Sequence, residues 1–171
     1  LGMLKFESGD KESPELFEDV HRAGFLMLFF GLESANDRIL SIIDKGCDQA
    51  TEKSVLKNSS DAGIWNHLYL FFGFPTEERE EAEDTIRFTV ENSETGTGHI
   101  HSVGQSIFAL EKDSAIYHNP GKFKVDRIIH DPDRDMAIVF DFDIKAGMPR
   151  EEVMDVYEHF DSVIEETFPS R

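Results

Sequence analysis

The sequence is poor in cysteine, in positive charge and in long apolar runs. Its 171 residues include one cysteine, Cys47, which can form neither an internal disulfide nor a cysteine-ligated metal cluster by itself. The longest apolar stretch runs from Phe25 to Leu32, whereas a membrane-spanning helix needs about 20 residues. These shortages predict a protein without a disulfide scaffold or a membrane span, from a reducing compartment such as the cytoplasm.

Charge of one sign is scarce as well. Lys and Arg number 17 against 35 Asp and Glu, which gives a net charge of -18. Such a chain repels phosphate, so neither nucleic acid nor an anionic membrane is an expected partner. The chain begins at Leu1 without a methionine or a charged leader, and we therefore expect a piece of a longer protein rather than a secreted one.

Apolar runs alternate with capped, helix-like segments, which predicts an α/β fold with a parallel sheet and right-handed crossovers, either open or part of a barrel. The predicted strands cover residues 1–7, 25–34, 65–73 and 98–110. The predicted helices cover residues 13–24, 35–46, 48–63 and 76–93, the first three closed by Gly24, Gly46 and Gly63.

The pattern of apolar and polar residues changes at Asn119. Residues 119–135 are polar and broken by prolines, residues 136–147 look like a strand with Phe140 and Phe142 on one face, and residues 149–168 have the apolar spacing of a packed helix. We therefore expect a partial barrel over residues 1–118 and a small α/β extension over residues 119–171.

The tetrapeptide LFFG occurs at residues 28–31 and again 42 residues later at 70–73. Each copy ends an apolar run and is followed by a helical segment, so the repeat indicates two strand-helix units. The first copy has no polar alternation, which predicts a strand buried on both faces.

Residues just after the strands are the candidates for a ligand site, because parallel α/β folds bind ligands beyond the carboxyl ends of their strands. This rule selects Glu33, Ser34, Gly73, Pro75 and Glu77. The alternative is structural: Ser34 can cap a helix, and Glu77 can sit in a first helical turn.

Three segments in order, "FFGLESANDRILSIIDKG", "AGIWNHLYLFFGFPTEEREEAEDTIRF" and "SIFALEKDSAIYHNPGKF", resemble the later part of the radical S-adenosylmethionine (SAM) enzymes. The resemblance is greatest to the group that often carries a cobalamin-binding domain. It implies an incomplete (β/α) TIM-like barrel, in which the four predicted strands are the last four of six. It also implies an enzyme that cleaves SAM reductively to start radical chemistry on a small-molecule substrate.

The resemblance implies SAM contacts at two strand ends. After the first LFFG, Glu33 and Ser34 correspond to residues that approach the ribose and methionyl groups, and Lys45 corresponds to a basic residue that faces the methionyl carboxylate. After the second, Phe72 and Gly73 correspond to residues near the adenine. Phe108 supplies a further contact in the last strand, although packing in the core explains Phe72 and Phe108 equally well.

The family holds a 4Fe-4S cluster through a CxxxCxxC loop after its first strand, and this sequence contains no such loop. The resemblance therefore implies SAM and the cluster as cofactors of a full-length parent, with cobalamin possible in an upstream domain, and an isolated fragment that is inactive. A smaller departure is the triplet Pro75-Thr76-Glu77, where the family commonly has Pro-Gly-Glu.

Two other functions stay open. His99 and His101 form an HxH pair, which could bind zinc as in metal-dependent barrel hydrolases if further ligands were present. Alternatively, the chain is a non-catalytic structural or interaction module. A partial barrel leaves the strand at residues 1–7 with an exposed edge, so we expect self-association through it.

Overall fold

The computed structural model describes residues 2–4, for which the backbone alone is given, and residues 13–131 and 136–168. The strands are β1 (Gly2–Leu4), β2 (Met27–Glu33), β3 (Trp65–Phe72), β4 (Ser102–Ile107), β5 (Leu110–Glu111), β6 (Val125–Ile129) and β7 (Val139–Ile144). The α-helices are α1 (Pro14–Arg22), α2 (Asp37–Ile42), α3 (Gln49–Asp61), α4 (Arg79–Asn92), α5 (Ala115–His118) and α6 (Arg150–Thr167). A 3₁₀ helix covers Pro120–Phe123.

The larger sheet is parallel, with the strand order β1-β2-β3-β4. Helix α1 joins its first two strands, α2 and α3 join the next two, and α4 leads to β4. This alternation confirms the predicted parallel α/β fold. The part of the predicted first strand that follows Leu4, residues 5–7, lies outside the described residues.

One face of the sheet is covered and the other is open. Leu28, Phe30 and Leu32 of β2 are buried under the helices, while the residues between them are half-buried. The expectation that this strand is buried on both faces was therefore wrong. Its second face lines the hollow of an incomplete barrel, where Phe29 packs against His67 and Tyr69 of β3.

Two of the three predicted helix stops are confirmed. Gly24 and Gly63 follow α1 and α3 with φ of 94° and 83°, values that favour glycine. The third stop was wrong, because α2 ends before Gly46. Asp44 takes the left-handed conformation instead, with φ of 55°, and the N–H of Lys45 donates to the Leu40 carbonyl. Aspartate tolerates this conformation better than most side chains.

The second sheet is antiparallel, with the order β5-β7-β6. Strand β6 lies in the segment expected to be irregular, which corrects that expectation: Pro120 occupies the 3₁₀ helix ahead of the strand and so does not interrupt it. Phe140 and Phe142 share a face, as predicted, and pack against a second apolar cluster that includes Phe108.

Helix α6 returns to the parallel sheet. Val153, Val156 and Phe160 are buried in the same core as β2 and β3, which confirms the predicted packed helix. The boundary between residues 118 and 119 stays a prediction, and the antiparallel sheet draws one of its strands, β5, from before it. Among the described helices, none has both the length and the apolar composition to span a membrane.

Candidate functional site

The open face of the parallel sheet carries a group of packed aromatic side chains, Phe29, His67 and Tyr69, which we call the aromatic floor. Phe29 and Tyr69 stack with ring centroids 5.8 Å apart, and His67 meets Tyr69 edge-on at 4.7 Å. The Tyr69 ring lies over Gly104, where an added Cβ would come within 3.1 Å of it. The Tyr69 residue is still 46% exposed, so this floor is accessible from the hollow of the barrel.

Two predicted residues meet at the carboxyl end of β2. Lys45 Nζ lies 3.1 Å from Glu33 Oε1, and the lysine side chain is 11% exposed. Both lie over Gly31, where an added Cβ would come within 2.5 Å of Glu33 Oε1 and 3.3 Å of Lys45 Nζ. Glu33 has a φ of 65°, a conformation that costs energy for glutamate and is common at functional sites.

Ser34 points away from this pair. It is fully buried, and its hydroxyl oxygen lies 3.2 Å from the Thr85 hydroxyl in α4. It also accepts a hydrogen bond from the Asn36 N–H at 3.2 Å. The structure therefore places Ser34 between β2 and α4, where its hydroxyl stabilises the fold. The predicted SAM contact by Ser34 remains untested.

The remaining predicted residues lie at the ends of β3 and β4. Phe72 is fully buried, with its ring 5.3 Å from that of Phe160 in α6. Gly73 lies under the same helix, because a Cβ added there would be 2.7 Å from Val153 Cγ1. Phe108 packs against Phe71 at 5.5 Å. The structure does not bring these three residues to the Glu33 and Lys45 pair through any contact that it records.

Gly73 and Phe108 line a cavity of about 290 Å³ between the parallel sheet, β7 and α6. Its walls also include Phe140 and Phe142 from the extension. The extension thus packs around the end of β3, where Phe140 and Phe142 join the cluster that contains Phe71 and Phe108. Phe72 does not line this cavity.

Glu77 is a buried acid beyond β3. The Gly73 N–H donates to its Oε2 at 2.6 Å, and Oε1 has no hydrogen-bond partner in the part of the chain that is described. Burial raises the pKa of Glu77 to about 7, against the opposing effect of the hydrogen bond from Gly73. The position after the strand singled out Glu77 in the sequence, but only the packing shows that it is buried.

Glu52 is a second buried acid, which sequence reasoning missed. It lies in the first turns of α3 and is fully buried. Its Oε1 lies 3.8 Å from Cys47 Sγ. Burial raises the pKa of Glu52 well above its ordinary value, and the Lys45 ammonium opposes that rise. The available signal was its spacing from Val55 and Leu56, which places a carboxylate on the apolar side of the helix.

Both histidines of the HxH pair contact neighbouring residues of the fold. His101 Nδ1 accepts the Asn66 N–H at 3.1 Å, and its ring stacks on Trp65 at 5.4 Å. His99 Nδ1 lies 3.0 Å from the Thr97 hydroxyl. Across the residues that the structure covers, no three His, Cys, Asp or Glu side chains form a metal-binding group, so the zinc hypothesis gains no support.

A sequence model of the Radical SAM superfamily matches residues 4–89, which is 86 of the 171 residues. The chain belongs to the radical SAM superfamily. This finding confirms the family resemblance, whereas nothing in the comparisons bears on a cobalamin-binding domain.

This radical SAM chain is similar to one curated protein and to one solved structure. An uncharacterized methyltransferase from Pyrococcus horikoshii is 39% identical over 61 residues, which are 36% of this chain and 13% of that protein. The structure of coproporphyrinogen III oxidase (HemN) from Escherichia coli, described as a radical SAM enzyme, aligns with a TM-score of 0.66 at 12% identity. That alignment covers 96% of this chain and 31% of HemN, and it supports the incomplete TIM-like barrel. The chain thus spans less than a third of either relative.

The cofactors of the family fit this chain unequally. A cluster held by three thiolates has no counterpart here, because Cys47 is the one cysteine in the sequence. Burial and the nearby Glu52 also raise the pKa of this thiol to about 12, which disfavours the thiolate that binds metals. For a polar ligand such as SAM, the carboxyl end of β2 offers the charged pair of Glu33 and Lys45, for which Gly31 leaves room above the strand.

Proposed function

We propose that this chain forms the carboxyl-terminal half of the SAM pocket in a longer radical SAM enzyme. The observation that carries the proposal is the pair of Glu33 and Lys45 at the carboxyl end of β2, with Nζ and Oε1 3.1 Å apart beside the open face of the sheet. In parallel barrels, ligands bind at this end of the strands. Membership of the superfamily supports SAM as the ligand.

The two side chains have complementary tasks in this proposal. Lys45 presents a largely desolvated ammonium to the methionyl carboxylate, since a charge with 11% side-chain exposure interacts more strongly than one in water. Glu33 accepts hydrogen bonds from hydroxyl or ammonium groups of the same ligand. The absence of a side chain at Gly31 leaves room for the Glu33 carboxylate and the Lys45 ammonium above the strand. When bound together, SAM and a 4Fe-4S cluster supply the reductive cleavage that starts radical chemistry.

The cluster must come from another part of the parent protein, because this sequence has one cysteine. The chain alone is therefore inactive in our proposal, and its parent is a cytoplasmic oxidoreductase or transferase acting on a small molecule. The methyltransferase name of one relative is compatible with a transferase. A cobalamin-binding domain upstream remains a prediction from the family resemblance.

A SAM titration of the 171-residue chain, followed by NMR with ¹³C-labelled Glu and ¹⁵N-labelled Lys, tests the proposal. We expect weak binding, with a dissociation constant of about 1 mM, because half of the pocket is missing. The Glu33 and Lys45 signals should shift, and K45M should abolish the shift at Glu33. The exposed Lys53 provides a matched control, since K53M should leave the titration unchanged. No shift at Glu33 and Lys45 at 10 mM SAM would overturn the proposal.

We also propose that the chain self-associates through β1, which stands at the end of the parallel sheet. Among the described strands, β1 has a partner on one side only, and the edge of such a strand can pair through its N–H and carbonyl groups with a second copy. Light scattering at increasing concentration should show a dimer, whereas a monomer at the highest soluble concentration would contradict it.

A further inference from the structure

The aromatic floor leaves ring surface uncovered in the hollow of the barrel. Tyr69 is exposed, and Phe29 and His67 are half-buried. The His67 ring meets Phe29 edge-on at 5.0 Å and Tyr69 edge-on at 4.7 Å, so the three rings hold one another in place. Aromatic side chains that line a concave surface without being covered by the fold itself are typical of small-molecule sites.

Gly104 of β4 makes room for this packing. It pairs in register with Tyr69, and a Cβ added there would come within 3.1 Å of the Tyr69 ring and 3.3 Å of His67 Nε2. An alanine at this position would push against both side chains. The glycine therefore keeps the Tyr69 ring and the His67 nitrogen close together above the strand.

One ring nitrogen of the floor has no partner in the fold. His67 Nδ1 lies 2.8 Å from the Ser102 hydroxyl oxygen, which fixes the orientation of the imidazole and occupies that nitrogen. Within the described part of the chain, no hydrogen bond reaches His67 Nε2, and Nε2 is not enclosed by the fold. This nitrogen is therefore available to a ligand in the hollow.

The charge state of His67 favours an uncharged ligand. Burial lowers the pKa of His67, so the imidazole is neutral at neutral and higher pH. In a neutral imidazole one nitrogen donates and the other accepts. His67 Nε2 can therefore donate to a ring nitrogen or a carbonyl, or accept from an N–H or a hydroxyl group, according to its tautomer.

The floor lies beside the proposed SAM contacts. Tyr69 pairs in register with Gly31, and Glu33 and Lys45 meet above that glycine. Neighbouring strands of a sheet are about 4.8 Å apart. A compound bound on the floor would therefore be a neighbour of a ligand held by Glu33 and Lys45.

The floor also leads into a cavity at the carboxyl end of β4. The next residues along the same rows, Phe71 and Ser106, pair in register and line a cavity of about 400 Å³. Its walls also include Phe108, Ser114 and Ile116. This volume suits a small molecule.

We propose that the aromatic floor binds the substrate, a flat uncharged ring compound that carries a hydrogen-bonding nitrogen or oxygen. The compound packs against the exposed Tyr69 ring, while His67 Nε2 bonds to its polar edge. Phe29 and Gly104 hold these two side chains in place. This inference rests on the proposed function where it makes the compound the substrate of a SAM-dependent enzyme, whereas the binding itself can be measured without SAM.

Titration with indole tests the binding, because indole is a flat, uncharged ring with one N–H donor. The 171-residue chain is labelled with ¹⁵N-histidine and ¹³C-tyrosine and followed by NMR at about pH 8, where the imidazole is neutral. We expect a dissociation constant of about 1–10 mM, with shifts of the His67 Nε2 and Tyr69 ring signals. Cyclohexanol, which has a hydroxyl group but no flat ring, should cause neither shift. The proposal is overturned if indole shifts neither signal, or if cyclohexanol shifts both as strongly as indole.

Three variants separate the floor from the rest of the strand. Y69L removes the exposed ring and should weaken indole binding about tenfold. H67F keeps a ring but loses Nε2, so the affinity should fall about three- to tenfold. W65L is the matched control, because it removes an exposed ring of β3 that lies outside the floor and stacks on His101, and it should leave the affinity unchanged. Wild-type affinity in Y69L and H67F, or an equal loss in W65L, would contradict the proposal.

A titration with both ligands separates the substrate site from the proposed SAM contacts. If SAM occupies the end of β2 and indole the floor, saturating SAM should change the indole affinity by no more than about twofold. Displacement of indole by SAM would overturn the substrate assignment, because the floor would then belong to the SAM site itself. Absence of SAM binding would contradict the proposed function, while the titration with indole alone still decides whether the floor binds a ring compound.

Discussion

The two LFFG segments have the same letters and opposite surroundings. Gly31 of the first copy lies on the open face of β2, below Glu33 and Lys45. Gly73 of the second copy lies against Val153 of α6, next to the buried Glu77. One strand end is thus open to a ligand and the other is covered by the extension. Identical strand endings therefore do not predict equivalent sites.

The sheet register explains part of this difference. Leu28 pairs with Asn66, and Gly31 pairs with Tyr69, so the second LFFG lies four residues farther along its strand. At about 3.3 Å per residue the offset is about 13 Å. Gly31 therefore remains within β2, whereas Gly73 follows the last residue of β3 and begins a loop that α6 covers.

The largest loss of stability is expected from a substitution where α6 covers β3. F160A removes a fully buried ring that packs edge-on against Phe72, so the free energy of unfolding should fall by about 3–5 kcal/mol. Urea denaturation followed by circular dichroism measures the change. A loss below about 1 kcal/mol would show that α6 is not part of the core of the parallel sheet.

Replacement by alanine should destabilise the fold much more at Gly73 than at Gly31. G73A has to adopt a φ of 82° and meets Val153, which should lower the free energy of unfolding by about 2–4 kcal/mol. G31A meets the end of the Glu33 side chain, which can move, so we expect a loss of less than about 1 kcal/mol. Adding V153A to G73A should recover part of the loss. Equal losses in G31A and G73A would remove the proposed distinction.

Buried Glu77 should make stability depend on pH. Its folded pKa of about 7 exceeds the ordinary value of 4.5, so the folded state binds the proton more tightly. Glu77 therefore contributes its full stability below pH 4.5, and this contribution is lost as the pH rises to about 7, by about 3 kcal/mol. E77Q should remove that part of the slope, whereas E80Q, which changes an exposed residue of α4, should not. Denaturant titrations at several pH values would refute this account if E77Q retained the wild-type slope.

The smallest effect on stability is expected from a substitution at the carboxyl end of β2. E33Q removes the charge of a glutamate side chain that is 32% exposed and keeps an amide oxygen that can accept from Lys45, so the free energy of unfolding should fall by only about 1 kcal/mol. The same substitution should weaken SAM binding in the NMR titration. A large loss of stability in E33Q would indicate that the pair holds the fold together rather than serving a ligand.

The sequence predicted what depends on local pattern, and less of what depends on packing. The parallel strand-helix alternation, the stops at Gly24 and Gly63 and the apolar face of α6 follow from periodicity and backbone preference. Strand β6 was missed because its few apolar residues follow a proline. The burial of Glu52 depends on how helices pack on the sheet, which spacing suggests but does not establish.

The candidate site was likewise predicted only in part. Family resemblance selected Glu33 and Lys45, and the structure brings them together. It also selected Ser34 and Phe72, which the structure places in the covered part of the fold. A sequence motif identifies the end of a strand, whereas the side that each residue faces depends on the register and on the helix that lies above it.

The central claim is that this chain completes a SAM pocket whose cluster is supplied by a preceding segment. The reading frame on the amino-terminal side of Leu1 tests it most directly. We predict a CxxxCxxC loop within about 100 residues upstream, the length of two or three strand-helix units with their connections. An in-frame stop codon, or an upstream sequence of that length without the three cysteines, would contradict the claim.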